Sequence, residues 1–461
     1  MAAILVIFLF YFCSLPHSSL SQKQISLTLH QPVVDDPFRQ MVAASLIRAH
    51  HLKNPSRSDR KHHKNHPSLG TIPLVPHSYG GYSVSLSFGT PPQTIPFVFD
   101  TGSDLAWAPC THSYVCKNCA FPNPSGLKPV FFPKASSSAR LVGCKNPKCT
   151  WLHSAQNLST RCKNASKKST ICPAYFLMYG MGSTGGILLE ETFVLPDKNV
   201  TRFAFGCSVF STKQPAAGIA GFGRGPASIA SQLNLERFSY CLASRNYDDI
   251  AGKAGTIFLG GNPEDSHDNV SFTPFLTNPA AKPNSPFAVY YYIEIIRIVV
   301  GGNKVKIPPG VFQPGSDGNG GVIIDSGSTF TFMESSILNL LIASFEESIA
   351  GRYNRSKSVE TATGLGLCYL LPDQNVLNLP SLMLVFRGGS KMPIPIENYF
   401  AFVSDAEAGA TCLTVVTDGK DKFNGVVGPA IILGAFQQQN YHFMFDLQRQ
   451  RLGFRREKCM N

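Results

Sequence analysis

Short apolar runs alternating with polar residues, broken at close intervals by Gly and Pro, dominate this chain. Tyr82-Ser83-Val84-Ser85-Leu86-Ser87-Phe88 alternates with period two, the mark of a half-buried strand. Gly89-Thr90-Pro91-Pro92-Gln93 reads as a turn, and Ile95–Phe99 as the next strand. Similar runs recur at Tyr290–Val299, Leu382–Phe386 and Tyr441–Asp446. Helical periodicity is scarce. Ser335–Ile349 places Ile337, Leu340, Leu341, Ile342 and Phe345 on one side, with Glu334 near its start. Pro226–Leu233 predicts a short second helix, and Phe38–His51, with Met41, Leu46 and Ile47 apolar, a further helical piece. The pattern predicts a mainly β protein.

Length and composition sharpen this. The 461 residues allow two or three domains, or one large two-lobed body. Apolar residues make up 43%, a globular content, whereas charged residues reach only 15% beside 39 Gly and 33 Pro, which suits strands and turns. The run Ile4-Leu5-Val6-Ile7-Phe8-Leu9-Phe10-Tyr11-Phe12 is short and early for a membrane span and reads as a signal-peptide core, with cleavage near Ser21. A signal anchor is the alternative. No second run reaches spanning length, so the mature chain is expected to lack a membrane span.

Of the 13 cysteines, 12 remain once Cys13 leaves with the signal, enough for up to six disulfides in a secreted chain. Asn157, Asn164, Asn199, Asn269 and Asn354 each begin a glycosylation sequon, which points to the same compartment. Seven of the 12 cysteines lie within Cys110–Cys172, a stretch poor in large apolar residues that must be stapled. Cys116-x-x-Cys119 could hold zinc, but without a neighbouring His pair disulfides are the better reading. With a lobe boundary near residue 280, nine cysteines fall before it and three after, so full pairing demands at least one bridge between lobes.

The formal net charge is +12. Residues 22–77 carry 8 Lys/Arg against 3 Asp/Glu and seven of the 12 histidines. That zone is either a loose linker or a pro-segment whose positive groups neutralise an acidic cleft and lose their partners when the carboxylates protonate. The rest is mildly basic, with no strip of the nucleic-acid-binding type.

The chemistry lies in two segments of nearly the same wording. Phe97-Val98-Phe99-Asp100-Thr101-Gly102-Ser103 and Val322-Ile323-Ile324-Asp325-Ser326-Gly327-Ser328 each run an apolar strand into Asp, a hydroxyl residue, Gly and Ser. One Asp-x-Gly is an ordinary turn. Two of them, half a chain apart, suggest duplicated lobes that each give one carboxylate to a shared site. Two close carboxylates do not both ionise easily, so one keeps a proton while the other acts as a base, as activation of water against an amide requires.

With Tyr179-Gly180-Met181-Gly182-Ser183 between them, and with Ile219-Ala220-Gly221 and Ile432-Leu433-Gly434 as partner segments, these motifs resemble the pepsin-like aspartic proteases over residues 78–461. The cysteine-rich insertion and the Asp-Ser-Gly of the second motif resemble the plant nepenthesin-type branch. The resemblance implies a two-lobed pepsin-like acid protease fold with an active-site cleft between the lobes. It implies catalysis by Asp100 and Asp325 on one water. Gly102 and Gly327 would let backbone N–H groups approach the carboxylates, Thr101 and Ser326 would brace the loops, and Ser103 and Ser328 would bond the outer carboxyl oxygens. Tyr179 and Gly180 would lie in a mobile flap, with the Trp107 indole bonded to the Tyr179 hydroxyl; a surface tyrosine and a plain core tryptophan are the alternatives.

The chain divides accordingly into a signal at 1–21, a pro-segment at 22–77, an N-terminal lobe at 78–280 with its insertion at 110–172, and a C-terminal lobe at 281–461. Gly-x-Ser-x-Gly with a fitting His, His-Glu-x-x-His and nucleotide fingerprints are absent from the sequence. The expectation is a secreted, monomeric endopeptidase of the apoplast or cell wall, with the vacuole as alternative. It would act on protein or peptide substrates at acidic pH without metal or cofactor. The competing expectation is a catalytically silent binding or inhibitor protein on the same fold.

Overall fold

The computed structural model describes residues 25–30, 37–53, 81–119, 129–162, 170–179, 182–196, 198–214, 217–244, 253–260, 269–279, 286–371, 378–403, 409–419 and 428–459. The proposed signal, Gly180, Asn164 and the lobe boundary at 280/281 lie outside these residues.

The chain is mainly β, with few and mostly short helices. Strand β1 (Ile25–His30) precedes helix α1 (Pro37–Lys53), which is followed by β2 (Ser83–Phe88) and β3 (Gln93–Asp100). β2 and β3 form an antiparallel pair whose alternation turns Val84, Leu86, Phe88, Ile95, Phe97 and Phe99 into the core. They belong to a 15-stranded sheet that runs through the first half of the chain and takes in Tyr441–Asp446 and Arg451–Arg456 from its end. The second half adds smaller sheets of five, four and three strands. β1 lies between β2 and Lys253–Leu259, bonded to both.

The helix over Ser335–Ile349 forms as its periodicity predicts, burying Ile337, Leu338, Leu341, Ile342, Phe345 and Ile349. The second short helix is confined to Ile229–Gln232, started by the Ser228 side chain accepting from Ser231 N. Tyr290–Val299 is not one strand. A 3-10 turn (Pro286–Val289) precedes it, and it divides into a two-residue strand at Tyr292–Ile293 and a separate strand at Ile295–Val300. Those two strands join different sheets, and Glu294 stands at the change of partner.

Six disulfides close among the described residues: Cys110–Cys207, Cys116–Cys119, Cys144–Cys162, Cys149–Cys172, Cys241–Cys459 and Cys368–Cys412. Cys116 and Cys119 pair with each other. Cys241–Cys459 is the bridge from the first half to the end of the chain that the cysteine count requires.

Candidate active site

Each Asp stands at the end of a strand that has a parallel neighbour, Asp100 as its last residue and Asp325 just beyond it. β3 pairs in parallel with Gly218–Gly221, and Phe222 N donates to Asp100 O at 2.8 Å. Val322–Ile324 pairs in parallel with Ile431–Leu433, and Asp325 N donates to Leu433 O at 3.0 Å. These are the two partner segments marked in the sequence.

The two loops meet with the same set of bonds repeated in each. Gly102 N donates to Asp100 Oδ1 at 2.9 Å and Ser103 Oγ to Asp100 Oδ2 at 2.7 Å. On the other side Gly327 N donates to Asp325 Oδ1 at 3.1 Å and Ser328 Oγ to Asp325 Oδ2 at 2.6 Å. Ser326 Oγ donates to Phe99 O at 3.1 Å, and Thr101 Oγ1 to Ile324 O at 3.4 Å. The glycines have a second reason to be glycine. A Cβ on Gly102 would lie 2.6 Å from Asp325 Oδ1, and one on Gly327 would lie 2.6 Å from Asp100 Oδ1. Only bare backbone lets each loop come so near the opposite carboxylate. All eight residues named from the two motifs are therefore gathered at one place.

Trp107 Nε1 donates to Tyr179 Oη at 2.8 Å, and both side chains are buried. Tyr179 ends the first strand of a hairpin, Tyr175–Tyr179 with Gly182–Val194. Asn157, Asn199, Asn269 and Asn354 are exposed.

Sequence reasoning did not single out Arg48. It lies on α1, only 5% exposed, between the two carboxylates. Its Nη2 donates to Asp100 Oδ1 at 2.6 Å and Asp325 Oδ1 at 3.2 Å, and its Nε to Asp325 Oδ2 at 3.0 Å. The signal was present. Met41, Ser45, Arg48 and Leu52 recur at helical spacing, so a cation interrupts an apolar stripe. That stripe is buried: Met41, Val42, Ala49 and Leu52 pack with Tyr290, Tyr292, Phe330 and Phe332. Ser45 Oγ accepts from Phe330 N at 2.8 Å, and the His51 ring lies 6.1 Å from that of Tyr179. The helix thus fills the space between the carboxylates, the hairpin and the second half of the chain.

The electrostatics are asymmetric. Burial pushes the Asp100 carboxyl up to about 6, with the charge of Asp325 adding to the rise and Arg48 opposing it. Asp325 is just as buried, but the charge and hydrogen bonds of Arg48, with Ser328, outweigh that and hold it below its ordinary value. Arg48 is disfavoured by burial, yet both carboxylates raise it above its ordinary value. A pair so arranged can hold one proton between two acids. A further acid near the site, Asp104, accepts from Gly225 N at 2.9 Å and is pushed up to about 7, chiefly by desolvation. It anchors the loop after Gly221 and was not among the residues expected at the site.

Comparison with known proteins agrees with this geometry. Residues 82–261 match the family described as xylanase inhibitor N-terminal, and residues 290–456 its C-terminal counterpart. A probable aspartyl protease of Arabidopsis thaliana is 30% identical over 420 residues, covering 82% of each chain. Aspartic proteinase nepenthesin-2 of Nepenthes gracilis is 31% identical over 385 residues, covering 82% of this chain and 78% of that one. Among solved structures, edgp (TM-score 0.61, 22% identity, 81% of this chain and 91% of that) shares the fold. So does basic 7S globulin from soybean (TM-score 0.59, 17% identity, 94% of this chain and 96% of that). With twin Asp loops braced across one site, and with relatives matched over most of its length, the chain belongs to the pepsin-like aspartic protease family, in its plant nepenthesin-type branch.

Proposed function

We propose that this chain is the precursor of an acid-acting aspartic endopeptidase, with Asp100 and Asp325 as its catalytic pair and residues 22–77 as an inhibitory pro-segment. The observation that carries the reading is the single guanidinium nitrogen within hydrogen-bonding distance of an inner oxygen of each carboxylate. A point that near to both acids is where a shared water would stand once α1 has left.

The mechanism needs only that the two close acids share one proton once Arg48 has left. One carboxylate, ionised, takes the proton of the water as it attacks a peptide carbonyl carbon. The other, protonated, donates toward the carbonyl oxygen as the tetrahedral centre forms. As the C–N bond breaks, the proton taken from the water goes to the leaving amine, a hydroxyl proton of the collapsing tetrahedral centre returns to the acid that had donated, and the pair again holds one proton. Ser103, Ser328, Gly102 and Gly327 keep both carboxylates oriented through the cycle. The hairpin carrying Tyr179 closes over an extended substrate and excludes water.

Export belongs to the same proposal: the apolar N-terminal run, the exposed sequons and the six disulfides support passage through an oxidising secretory route. The enzyme acts outside the cell, or alternatively in the vacuole, as a monomer.

The test is hydrolysis of a denatured protein by the acid-processed chain at about pH 3–5, inhibited by a statine-type compound. No hydrolysis after residues 22–77 have been removed would end the reading. The second reading, a silent binding or inhibitor protein, draws on the description of the matching family as xylanase inhibitor. Tight association with a glycan-degrading enzyme, with no peptide bond cut, would favour it.

A further inference from the structure

The part of α1 beyond Arg48 carries a second cation. Lys53, the last residue of the helix, is 1% exposed. Its Nζ lies 3.2 Å from Glu334 Oε1 and 4.8 Å from the centroid of the Phe332 ring. Glu334 is itself 3% exposed. A buried lysine on a removable segment is costly unless its charge is matched, and here a carboxylate and an aromatic face match it together.

The receptor belongs to the body of the protein. The strand Thr331–Met333 and its flanks alternate with period two, so Phe330, Phe332 and Glu334 share one side, which faces α1. Phe330 N donates to Ser45, the Phe332 ring meets Lys53, and Glu334 pairs with Lys53. Glu334 also stands at the N-cap of the helix over Ser335–Ile349, yet its side chain makes no capping bond. Its carboxylate serves the cleft and not the helix end. Backbone closes the opposite side: a Cβ on Gly428 would lie 2.3 Å from Lys53 Cα.

We infer that Glu334 and Phe332 form a specificity subsite that takes a lysine or arginine side chain of the substrate; this rests on the peptidase reading above. Lys53 follows Arg48 by five residues on a helix, which spans about 7.5 Å along the axis. An extended peptide covers that distance in about two or three residues. The basic side chain therefore falls two or three residues from the bond that is cut. A neutral side chain in its place would cover the Glu334 carboxylate and leave the charge without a counter-ion, so the site discriminates as much by that penalty as by attraction.

Two measurements test it on the acid-processed protein. The first compares cleavage of paired peptides with Lys or Met at each position near the cut bond. The kcat/KM ratio of Lys to Met should reach about tenfold at one position and fall to about one in Glu334→Gln. A ratio near one at every position, or one that survives in Glu334→Gln, overturns the inference while leaving the peptidase reading standing. The second needs no catalysis: binding of a synthetic peptide of residues 37–53, with Lys53 or with Met at that position. The Met peptide should bind about tenfold more weakly to the unsubstituted protein and equally to Glu334→Gln. Equal affinity of both peptides for the unsubstituted protein overturns the inference. Discrimination by a protein that cuts nothing would support the subsite and remove the catalytic reading.

Discussion

Thr101 and Ser326 hold each other by reciprocal bonds: Thr101 N donates to Ser326 Oγ at 3.1 Å, and Ser326 N donates to Thr101 Oγ1 at 2.9 Å. Each hydroxyl also donates to a main-chain carbonyl beside the opposite Asp, so the halves are locked at the residues next to the acids. Ser326→Ala leaves Thr101 N and Phe99 O without these bonds inside the protein. It should cost about 1–3 kcal/mol of stability and lower the cleavage rate as the acids lose alignment. Thermal melting and peptide hydrolysis of the variant check this; an unchanged melting temperature and rate would show the brace to be dispensable.

Asp100→Asn and Asp325→Asn remove either the proton donor or the base. Each should reduce hydrolysis by about a thousandfold or more while the far-ultraviolet dichroism stays that of the parent. Residual turnover near the parent value in either variant would contradict the paired-acid mechanism.

Arg48→Met leaves two buried carboxylates facing each other without their cation. Breaking such a buried pair costs about 3–5 kcal/mol. The helix should therefore release from the intact chain near neutral pH, and trypsin should cut after Lys53, which is buried in the parent. Resistance equal to that of the parent would show that the apolar face of α1 suffices to hold it.

The docked helix should weaken on acidification. Burial, then the charges of Arg48 and His50, depress the His51 imidazole to about 3, while Asp325 acts in the opposite sense. A group depressed in the docked state favours docking above its free value near 6.5; that support fades as pH falls from there toward 3. Asp325, also depressed, loses its pairing with Arg48 in the same direction. Asp100 is raised to about 6 chiefly by burial, but Arg48 lowers it, so its pairing with Arg48 also fades as it protonates. His51→Gln should move the release of α1 to lower pH, read by hydrogen exchange of residues 37–53 across a pH series. A shift to higher pH would reverse this assignment of sign.

Asp104 predicts the opposite trend for the body of the protein. Its carboxyl is raised by burial to about 7, so its contribution to stability is fully present below about pH 4 and is lost as pH rises through 7. Asp104→Asn keeps an acceptor for Gly225 N and should flatten the decline of melting temperature between about pH 5 and 8. An unaltered decline would assign the pH dependence elsewhere.

Much of this was legible in the chain because local wording and global position coincide. The strand before each Asp, its parallel partner and the hydroxyl after it are short segments whose chemistry repeats, and repetition exposed them. The helix at Ser335–Ile349 was legible from its spacing alone. Tyr290–Val299 misled because one charged residue, Glu294, does not by itself tell an outward-facing strand position from the point where the chain leaves one sheet for another. Lys53 and Glu334 stand 281 residues apart, and nothing local to either announces the other. Arg48 was hidden among the many cations of residues 22–77, although its place on an apolar stripe set it apart. Asp104, four residues after Asp100, carries no motif of its own, and the group that closes on it, Gly225 N, comes from 121 residues away.

The link from Cys241 to Cys459 spans 218 residues and ties the end of the polypeptide to the first half of the molecule. A single nick between the halves would yield two fragments that travel as one particle in a non-reducing gel and part once a thiol is added. Such a two-chain form would retain both acids, since their alignment needs the halves to stay together and not to remain one unbroken polymer.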